Sequence, residues 1–289
     1  MIIEAVIPVH NRRELTVACL DRLSATRSIL PGLRATVVDD GSQDGTADAI
    51  RQAHPWVRIL QGNGNLWWSG AMNLGVEAAL AGGAEVILSL NDDTDASPEL
   101  LVALAQASAC KPKALWAPLA VHSDDGELVH SGYVFKPWRG WTPWHDGAAV
   151  PQDPYEVQGL PGACVLIPAA VFKAAGLYAA DELPQYHADI EFCVRAAKVG
   201  FSSWVLPSQR LKVRRNTRNA GLSSAALSGS ALRYMFSWPQ GVYAPKALFA
   251  FYRRTHPDGA LAGRCMALGF YFKAALKLAV NPVLRWRRA

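Results

Sequence analysis

The chain has 289 residues, 51% of them apolar and 18% charged, so it can bury a large core; disordered proteins and small disulfide-stabilised proteins are excluded. Its five cysteines are scattered without the spacing of a zinc site, which is typical of reduced thiols in a cytoplasmic protein. No uncharged apolar run reaches about 18 residues and no basic leader opens the sequence, so we expect neither a membrane span nor export.

The charge is distributed unevenly along the chain. Residues 1–204 hold 14 lysines and arginines against 23 acidic residues, a net charge of −9, whereas residues 205–289 hold 15 basic residues against Asp258 alone, a net charge of +14. This asymmetry indicates an acidic-to-neutral body followed by a basic segment that meets an anionic partner. From charge alone, a diphosphate, a lipid surface and nucleic acid all remain open, although no nucleic-acid recognition motif accompanies the basic residues.

Strand-like apolar runs alternate with helical patterns through the first part of the chain. The runs lie at 2–9, 34–38, 57–60 and 84–90. The spacing predicts helices over 14–25, 46–53 and 71–80, with Ser69 as the N-cap of the third. A fourth helix begins at Ser97, with Pro98 in its first position. This order predicts an α/β fold with a mostly parallel central sheet flanked by helices.

The pattern changes after residue 115. Residues 116–158 are rich in tryptophan and proline and predict short strands and turns, as in an insertion that faces the acceptor. The tryptophan-rich stretch 138–144 within them is either an acceptor platform or a hydrophobic plug. A helix over 188–199 and an apolar run at 201–206 follow. Beyond Asn219 the sequence is helical, with interruptions at prolines.

Polar residues follow each of the first four strand-like runs. They are His10-Asn11-Arg12, Asp39-Asp40-Gly41-Ser42, Gly62-Asn63-Gly64-Asn65 and Asn91-Asp92-Asp93. Each is an ordinary loop sequence when taken singly, but ligands of an open parallel sheet bind beyond the carboxyl ends of its strands. Because no GxGxxG or GxxxxGK[ST] phosphate loop occurs, a divalent cation held by the aspartates that follow the fourth run suits phosphate binding.

Six segments carry a family resemblance. Segments 7–11, 38–46, 65–73 and 90–94 resemble, in order and spacing, glycosyltransferase family 2 enzymes of the GT-A fold, and segments 159–163 and 188–195 are similar to the family's acceptor loop and catalytic-helix motif. The resemblance implies a Rossmann-like GT-A catalytic domain over 1–215. Its nucleotide-sugar-binding half is 1–115 and its acceptor half is 116–215, and a basic helical extension follows over 216–289.

The resemblance implies an inverting, metal-dependent transferase that moves a sugar from a nucleotide-sugar donor to a glycan or glycolipid acceptor in cell-surface polysaccharide synthesis. Asp189 matches the catalytic base, and Asp93 matches the aspartate that binds Mg²⁺ or Mn²⁺. The implied donor-binding residues are Pro8, Asn11, Asp40, Asn65, Trp67, Asn73 and Asp92. The implied acceptor-side residues are Gly162, Ala163 and Glu191.

Some of these residues have alternative roles. Asp189 and Glu191 also suit the first turn of a helix, where negative charge is favoured, and Glu191 can pair with Arg195 one turn later. Trp67 and Trp68 offer a stacking surface for a sugar, but neighbours on a strand point to opposite faces, so one of them would pack inside.

Two departures from the family pattern bear on the site. Ala188 precedes the catalytic aspartate where many members have an acid, which would hold Asp189 less rigidly. No histidine follows the catalytic helix in the next strand, where many members place a metal ligand. Either Arg214 or Arg215 neutralises the diphosphate instead, or both belong to a solvated strand end.

The donor, the acceptor and the location follow less directly. Segment 65–70 resembles rhamnosyltransferase-like members, which favours dTDP-rhamnose as the donor. The alternative to an enzyme is a catalytically inactive nucleotide-sugar or glycan-binding protein on the same fold. The basic, apolar segment 260–289 either lies on a membrane or packs on the body or on a second copy. We therefore expect a cytoplasmic protein, or one peripheral to the inner face of the cell membrane.

Overall fold

The computed structural model describes residues 1–145, 150–214 and 229–280. Its first part alternates strands with helices as the sequence predicts. The elements are β1 Ile3–Val9, α1 Arg13–Arg27, β2 Leu33–Asp39, α2 Thr46–Ala53, β3 Arg58–Gln61, α3 Trp67–Ala81, β4 Val86–Leu90, β5 Thr94–Asp95 and α4 Pro98–Cys110. The four predicted strands and four predicted helices are therefore confirmed, with ends that shift by a few residues.

The middle of the chain forms short strands and then returns to helices. Its elements are β6 Ala114–His122, β7 Leu128–His130, β8 Tyr133–Lys136, β9 Gly140–Pro143, β10 Tyr155–Val157, β11 Cys164–Pro168, α5 Ala169–Ala175, α6 Ala188–Lys198 and β12 Ser202–Val213. Three helices follow: α7 Gly229–Phe236, α8 Pro245–Thr255 and α9 Ala260–Val280. The predicted change to short strands and turns is confirmed, as is the predicted helix from residue 188.

One large sheet forms the centre of the fold. Its strand order is β10-β12-β6-β11-β4-β1-β2-β3. Strands β3, β2, β1 and β4 are parallel neighbours, β12 is parallel to β6, and β11 runs antiparallel between β4 and β6. The carboxyl ends of β1, β2, β3 and β4 therefore meet at one edge. This architecture confirms the predicted α/β fold with a mostly parallel central sheet.

Both faces of the sheet are covered. Every residue of β4 and of β11 is buried, as expected for strands between two layers. Helix α3 lies close against β1 at Gly75, where a Cβ would overlap the Val6 side chain. Two separate apolar clusters result, one around Val6 and the other around Ile7.

Two predicted helix caps have different outcomes. The Ser97 side chain accepts a hydrogen bond from the Leu100 amide, which confirms it as the N-cap of α4. The prediction for Ser69 is wrong, because α3 begins at Trp67 and the Ser69 hydroxyl donates to the Leu183 carbonyl instead. The carboxylate of Asp40 accepts the amide of Trp67 and so takes the place of a local cap.

The described part of the C-terminal segment packs on the rest of the protein. Helix α8 is joined to α6 by an ion pair between Arg254 and the buried Glu191, at 3.0 Å. Helix α9 lies against α8 at Gly263, where a Cβ would overlap the Tyr252 carbonyl. Among the described residues, we find no helix whose length and apolar content would let it traverse a bilayer.

Candidate active site

A cavity of about 1300 Å³ opens where strands β1, β2 and β4 end. Residues from α6 and from the loop before β11 close it on another side. The sequence-predicted site residues that line it are Pro8, Asp40, Trp67, Asp92, Asp93, Gly162, Ala163 and Asp189. The structure therefore brings eight of the twelve together, and they include the three aspartates on which the predicted chemistry depends.

Asp40 holds the start of α3. One carboxylate oxygen accepts the Gly64 amide at 2.7 Å, and the other accepts the amides of Leu66 at 2.9 Å and Trp67 at 3.1 Å. A negative charge is stabilised at the N-terminus of a helix, where backbone amides are unpaired. Asp40 thus fixes the loop between β3 and α3 while it also faces the cavity.

The two aspartates after β4 share one arginine. Nη1 of Arg12 lies 3.0 Å from Asp92 Oδ1, and Nη2 donates to Asp93 Oδ2 at 2.9 Å. Asp92 is buried, and its second oxygen accepts the Thr16 hydroxyl at 3.1 Å. Burial raises the pKa of Asp92 to about 6, and the positive charge of Arg12 opposes that rise.

Asp93 is the more accessible of the two aspartates, since 26% of its side chain is exposed. Oxygen ligands of this type suit Mg²⁺ and Mn²⁺. Within the described residues there is no cluster of three or more histidine, cysteine or acidic side chains arranged for a metal ion. Asp93 Oδ2 accepts from Arg12, so a cation at this position would be held by the other carboxylate oxygen of Asp93 together with oxygens of the donor.

Asp189 lies in the first turn of α6 and faces the cavity. Its Oδ2 accepts the Gly162 amide and its Oδ1 accepts the Ile190 amide, both at 2.8 Å. These two bonds orient the carboxylate although Ala188 precedes it. The surrounding protein desolvates the carboxyl and raises its pKa, while the two amides act in the opposite direction.

The two tryptophans before Ser69 lie at the start of a helix and not on a strand, so both can reach the cavity wall. Trp67 has φ of 57°, a conformation that is rare for a bulky residue. The Trp68 ring packs edge-on against Tyr178, with centroids 5.1 Å apart, and its Nε1 donates to Asn91 at 3.1 Å.

Three predicted donor-binding residues are not among the side chains that line the cavity. Asn11 joins two loops, since its amide donates to Ser42 Oγ and its side-chain oxygen accepts the Gln43 amide. The Asn73 side chain exchanges two hydrogen bonds with the backbone of Tyr178, both at 2.9 Å. Asn65 is exposed on the loop before α3. Asn11 and Asn73 therefore hold segments next to the cavity together.

Glu191, predicted on the acceptor side, also lies away from the cavity walls. It is buried, and its carboxylate accepts from Arg195 at 2.8 Å and from Arg254 at 3.0 Å. The predicted pairing with Arg195 is confirmed. A buried carboxylate with two guanidinium partners joins α6 to α8, which is a structural task.

The sequence placed Arg12 at this edge of the sheet but did not indicate its ion pairs, and it did not indicate His130 or Tyr133. Arg12 bridges two aspartates that lie about eighty positions later in the chain. His130 and Tyr133 also line the cavity, and a hydrogen bond of 3.1 Å joins the Tyr133 hydroxyl and His130 Nδ1. Burial, together with the smaller effect of nearby His122, lowers the pKa of His130 to about 4, so the imidazole is neutral near pH 7. No sequence motif marks His130 or Tyr133.

The sequence left open whether Arg214 or Arg215, after β12, faces the ligand or solvent. Arg214 is exposed and lines the cavity, so it can reach an anionic ligand there. Arg215, the other arginine that the sequence left open, lies outside the described residues. His187, which precedes α6, also lines the cavity; its ring stacks on Phe251 at 4.7 Å and it has φ of 73°.

Comparison with known proteins identifies the family. The family model for glycosyl transferase family 2 matches residues 4–174, which is more than half of the chain. The chain belongs to glycosyltransferase family 2. The predicted family and the assignment as a glycosyltransferase are confirmed, and five of the six resembling segments lie within the matched residues.

Relatives in sequence and in structure agree with this assignment. The chain is 27% identical over 214 residues to the N-acetylglucosaminyl-diphospho-decaprenol L-rhamnosyltransferase of two Mycobacterium tuberculosis strains, covering 65% of this chain and 69% of the relative. Among solved structures it is similar to GalNAc-T7 with UDP, GalNAc and Mn²⁺, with a TM-score of 0.60 and 13% identity. That match covers 98% of this chain and 58% of the other, so this chain spans less than two thirds of it.

A second similar structure is the mannosyltransferase PcManGT from Pyrobaculum calidifontis in complex with GDP-Man and Mn²⁺. Its TM-score is 0.55 at 14% identity, with 98% of this chain and 84% of the other covered. At these identities the likeness shows the fold, and it confirms the GT-A assignment.

Proposed function

We propose that this glycosyltransferase is an inverting enzyme that moves a sugar from a nucleotide-sugar donor to a glycan or lipid-linked glycan in cell-surface polysaccharide synthesis. The favoured donor is dTDP-rhamnose. The observation that carries the proposal is the placement of Asp40, Asp93 and Asp189 around one cavity. Two of these carboxylates follow parallel strands and the third starts a helix on the other side. Such a cleft can hold a donor and an acceptor together.

The donor would lie on the side formed by the carboxyl ends of the strands. Pro8, Asp40 and Trp67 line this part of the cavity and supply apolar contacts and a polar carboxylate for a nucleoside. The relative named as a rhamnosyltransferase supports rhamnose as the transferred sugar. The nucleobase and the sugar of the donor are assigned from the likeness of segment 65–70 to rhamnosyltransferase-like members of the family.

Asp93 would hold the divalent cation, Mg²⁺ or Mn²⁺, that accompanies the donor. When bound, the cation neutralises the negative charge that develops on the leaving diphosphate. Solved structures with this fold that contain Mn²⁺ and a nucleotide or nucleotide sugar support this part. Arg12 and Arg214 bring positive charge to the same cavity and would contact the diphosphate directly.

Asp189 would act as the general base. The acceptor oxygen forms a bond to the anomeric carbon while the bond from that carbon to the diphosphate oxygen breaks, and the acceptor proton passes to Asp189. Because desolvation raises the pKa of this carboxyl, it accepts a proton more readily than an exposed aspartate does. The amides of Gly162 and Ile190 hold it in one orientation.

The acceptor would enter from the side lined by His130, Tyr133 and Trp141. Burial raises the pKa of the Tyr133 hydroxyl, and the negative charge of nearby Asp189 raises it further, so the hydroxyl stays protonated. A lipid-linked acceptor would place the enzyme in the cytoplasm at the inner face of the membrane. The relative acts on such an acceptor by its name.

The donor can be identified by calorimetric titration of the protein with dTDP-rhamnose, UDP-sugars and GDP-sugars, each with and without Mn²⁺. We expect one nucleotide class to bind far more tightly than the others, and only with the cation. Failure of all three classes to bind would contradict the proposal. Tight binding without transfer to any glycan acceptor would favour the alternative, an inactive sugar-nucleotide-binding protein.

A further inference from the structure

Helix α9 packs on the protein through buried small residues and the partly buried Met266, Phe270 and Tyr271, and it exposes other large apolar side chains to solvent. Gly263, Ala267 and Ala274 are buried against the body. The exposed apolar side chains of α9 are Leu261 at 77%, Leu268 at 59%, Phe272 at 72% and Leu276 at 59%. A surface helix of a globular protein normally has polar and charged side chains on its outer face, so the apolar outer face of α9 is unusual.

The four exposed side chains form one stripe. They are separated by seven, four and four positions, which places them on the same face of a helix over about four turns. Single exposed apolar residues are common, but contiguous apolar patches mark interaction sites. We therefore expect this stripe to contact a binding partner.

The hairpin of β8 and β9 adds a fifth large side chain. Trp138 lies in its turn and is 89% exposed. Lys273 Nζ on α9 donates to the Trp138 carbonyl at 3.2 Å, and Trp141 Nε1 donates to Thr255 at 3.0 Å. The hairpin is therefore fixed to helices α8 and α9, and Trp138 lies beside the stripe. We call Trp138 and the four α9 residues the apolar surface.

The charge around this surface favours one partner. Arg264 and Lys273 are exposed, and the helical period places them on opposite edges of the stripe. Asp258 is the sole acidic residue between residues 205 and 289. An apolar face with tryptophan and phenylalanine and with basic flanks lies in the headgroup region of anionic membranes. A second copy of the chain would bring like charges together at both edges.

We infer that the apolar surface docks this protein on an anionic lipid bilayer. The docking surface includes the β8–β9 turn as well as the C-terminal helix, because Lys273 joins the two. Trp141, Tyr252 and Phe270, from the same hairpin and helices, line the cavity away from Asp40. Docking therefore brings this end of the cavity close to the lipid. Its assignment as the acceptor end rests on the proposed function, whereas binding to the bilayer does not depend on sugar transfer.

The test is co-sedimentation of the full chain with vesicles of phosphatidylcholine containing about a third phosphatidylglycerol. Each large apolar side chain that enters the bilayer contributes about tenfold to the partition coefficient, so the double variant Leu268→Ser with Phe272→Ser should bind about a hundredfold more weakly. Trp138→Ser should lower binding about tenfold. Ile29→Ser is the matched control, because Ile29 is 56% exposed and lies outside the apolar surface. This variant should bind vesicles like the wild type.

Both lost side chains are exposed, so circular dichroism and thermal unfolding should match those of the wild type. Equal pelleting of the double variant and the wild type overturns the inference. A second result would also overturn it: the wild type fails to bind vesicles but self-associates in analytical ultracentrifugation, and the double variant stays monomeric. The stripe would then join two copies of the chain. Donor titrations are independent of this assay, so failure of docking and failure of the proposed transfer are distinguishable.

Discussion

Replacing Asp92 with asparagine should remove a pH dependence of stability that the wild type carries. Asp92 is buried between Arg12 and Thr16. Asparagine has the same shape, its oxygen can still accept from Arg12, and its nitrogen can donate to Thr16 Oγ1, whose own hydrogen can bond the Arg12 carbonyl. The substitution therefore removes a titratable proton with little change in packing.

The direction and size of the effect follow from the pKa of this carboxyl. Burial raises the pKa from 3.8 to about 6, so the folded protein binds the proton more tightly than the unfolded chain does. The resulting stabilisation is full below about pH 4 and is lost as the pH rises through about 6, and it amounts to about 3 kcal/mol in total. Between about pH 5 and pH 7.5 the expected loss is about 1.4 kcal/mol.

Urea unfolding at these two pH values measures the effect. The free energy of unfolding of the wild type should fall by about 1.4 kcal/mol more than that of Asp92→Asn between the lower and the higher pH. Asp181→Asn, an exposed aspartate, is the control and should follow the wild type. Equal pH slopes for Asp92→Asn and the wild type would refute the burial argument for this carboxyl.

Three further substitutions separate cation binding, acceptor geometry and structural support. Asp93→Ala should abolish Mn²⁺-dependent binding of a nucleoside diphosphate in calorimetry, because Asp93 is the accessible carboxylate of the pair. Gly162→Ala puts a methyl 2.5 Å from the Trp68 ring and 3.4 Å from Asp189 Cβ, and should cost about 1–3 kcal/mol of stability and slow transfer. Glu191→Gln should destabilise the fold by about 3 kcal/mol with donor affinity unchanged, because two arginines lose a buried partner.

Each of these has a matched control. Asp181→Asn should leave cation-dependent binding intact, and binding by Asp93→Ala equal to wild type would exclude Asp93 as the ligand. Gly269→Ala adds its methyl in open space on α9 and should be neutral or slightly stabilising, whereas wild-type transfer by Gly162→Ala would contradict the role of that contact. Glu182→Gln, at a more exposed carboxylate, should cost less than Glu191→Gln does.

Local signals account for the parts of the fold that the sequence predicts. The bounds of α2 are the same in prediction and structure, and Ser97 caps α4 through its own hydroxyl, because turn, cap and apolar period all lie within a few residues. Ser69 fails as a cap because the group that holds the start of α3 is Asp40, 27 residues before Trp67. A cap supplied from another strand leaves no local pattern.

The same distinction applies to the site. Asp40, Asp93 and Asp189 could be predicted to converge, since parallel strands end at one edge and the family motif places the helix opposite. Arg12 could not be assigned its position between two aspartates, because that contact depends on how the β1 loop folds over β4. Tyr252 on α8 reaches the cavity through packing of the C-terminal helices, which no motif marks.

The role of Asp189 is tested most directly by one comparison, the transfer rate and the donor affinity of Asp189→Asn against those of the wild type. The donor is the nucleotide sugar that binds in calorimetry, and the acceptor is the lipid-linked glycan to which the wild type transfers fastest. We expect donor affinity within about threefold of the wild type and transfer lowered by about a hundredfold or more, because the amide cannot take the acceptor proton. Transfer by Asp189→Asn at the wild-type rate would contradict the assignment of this cavity as an active site with Asp189 as its base.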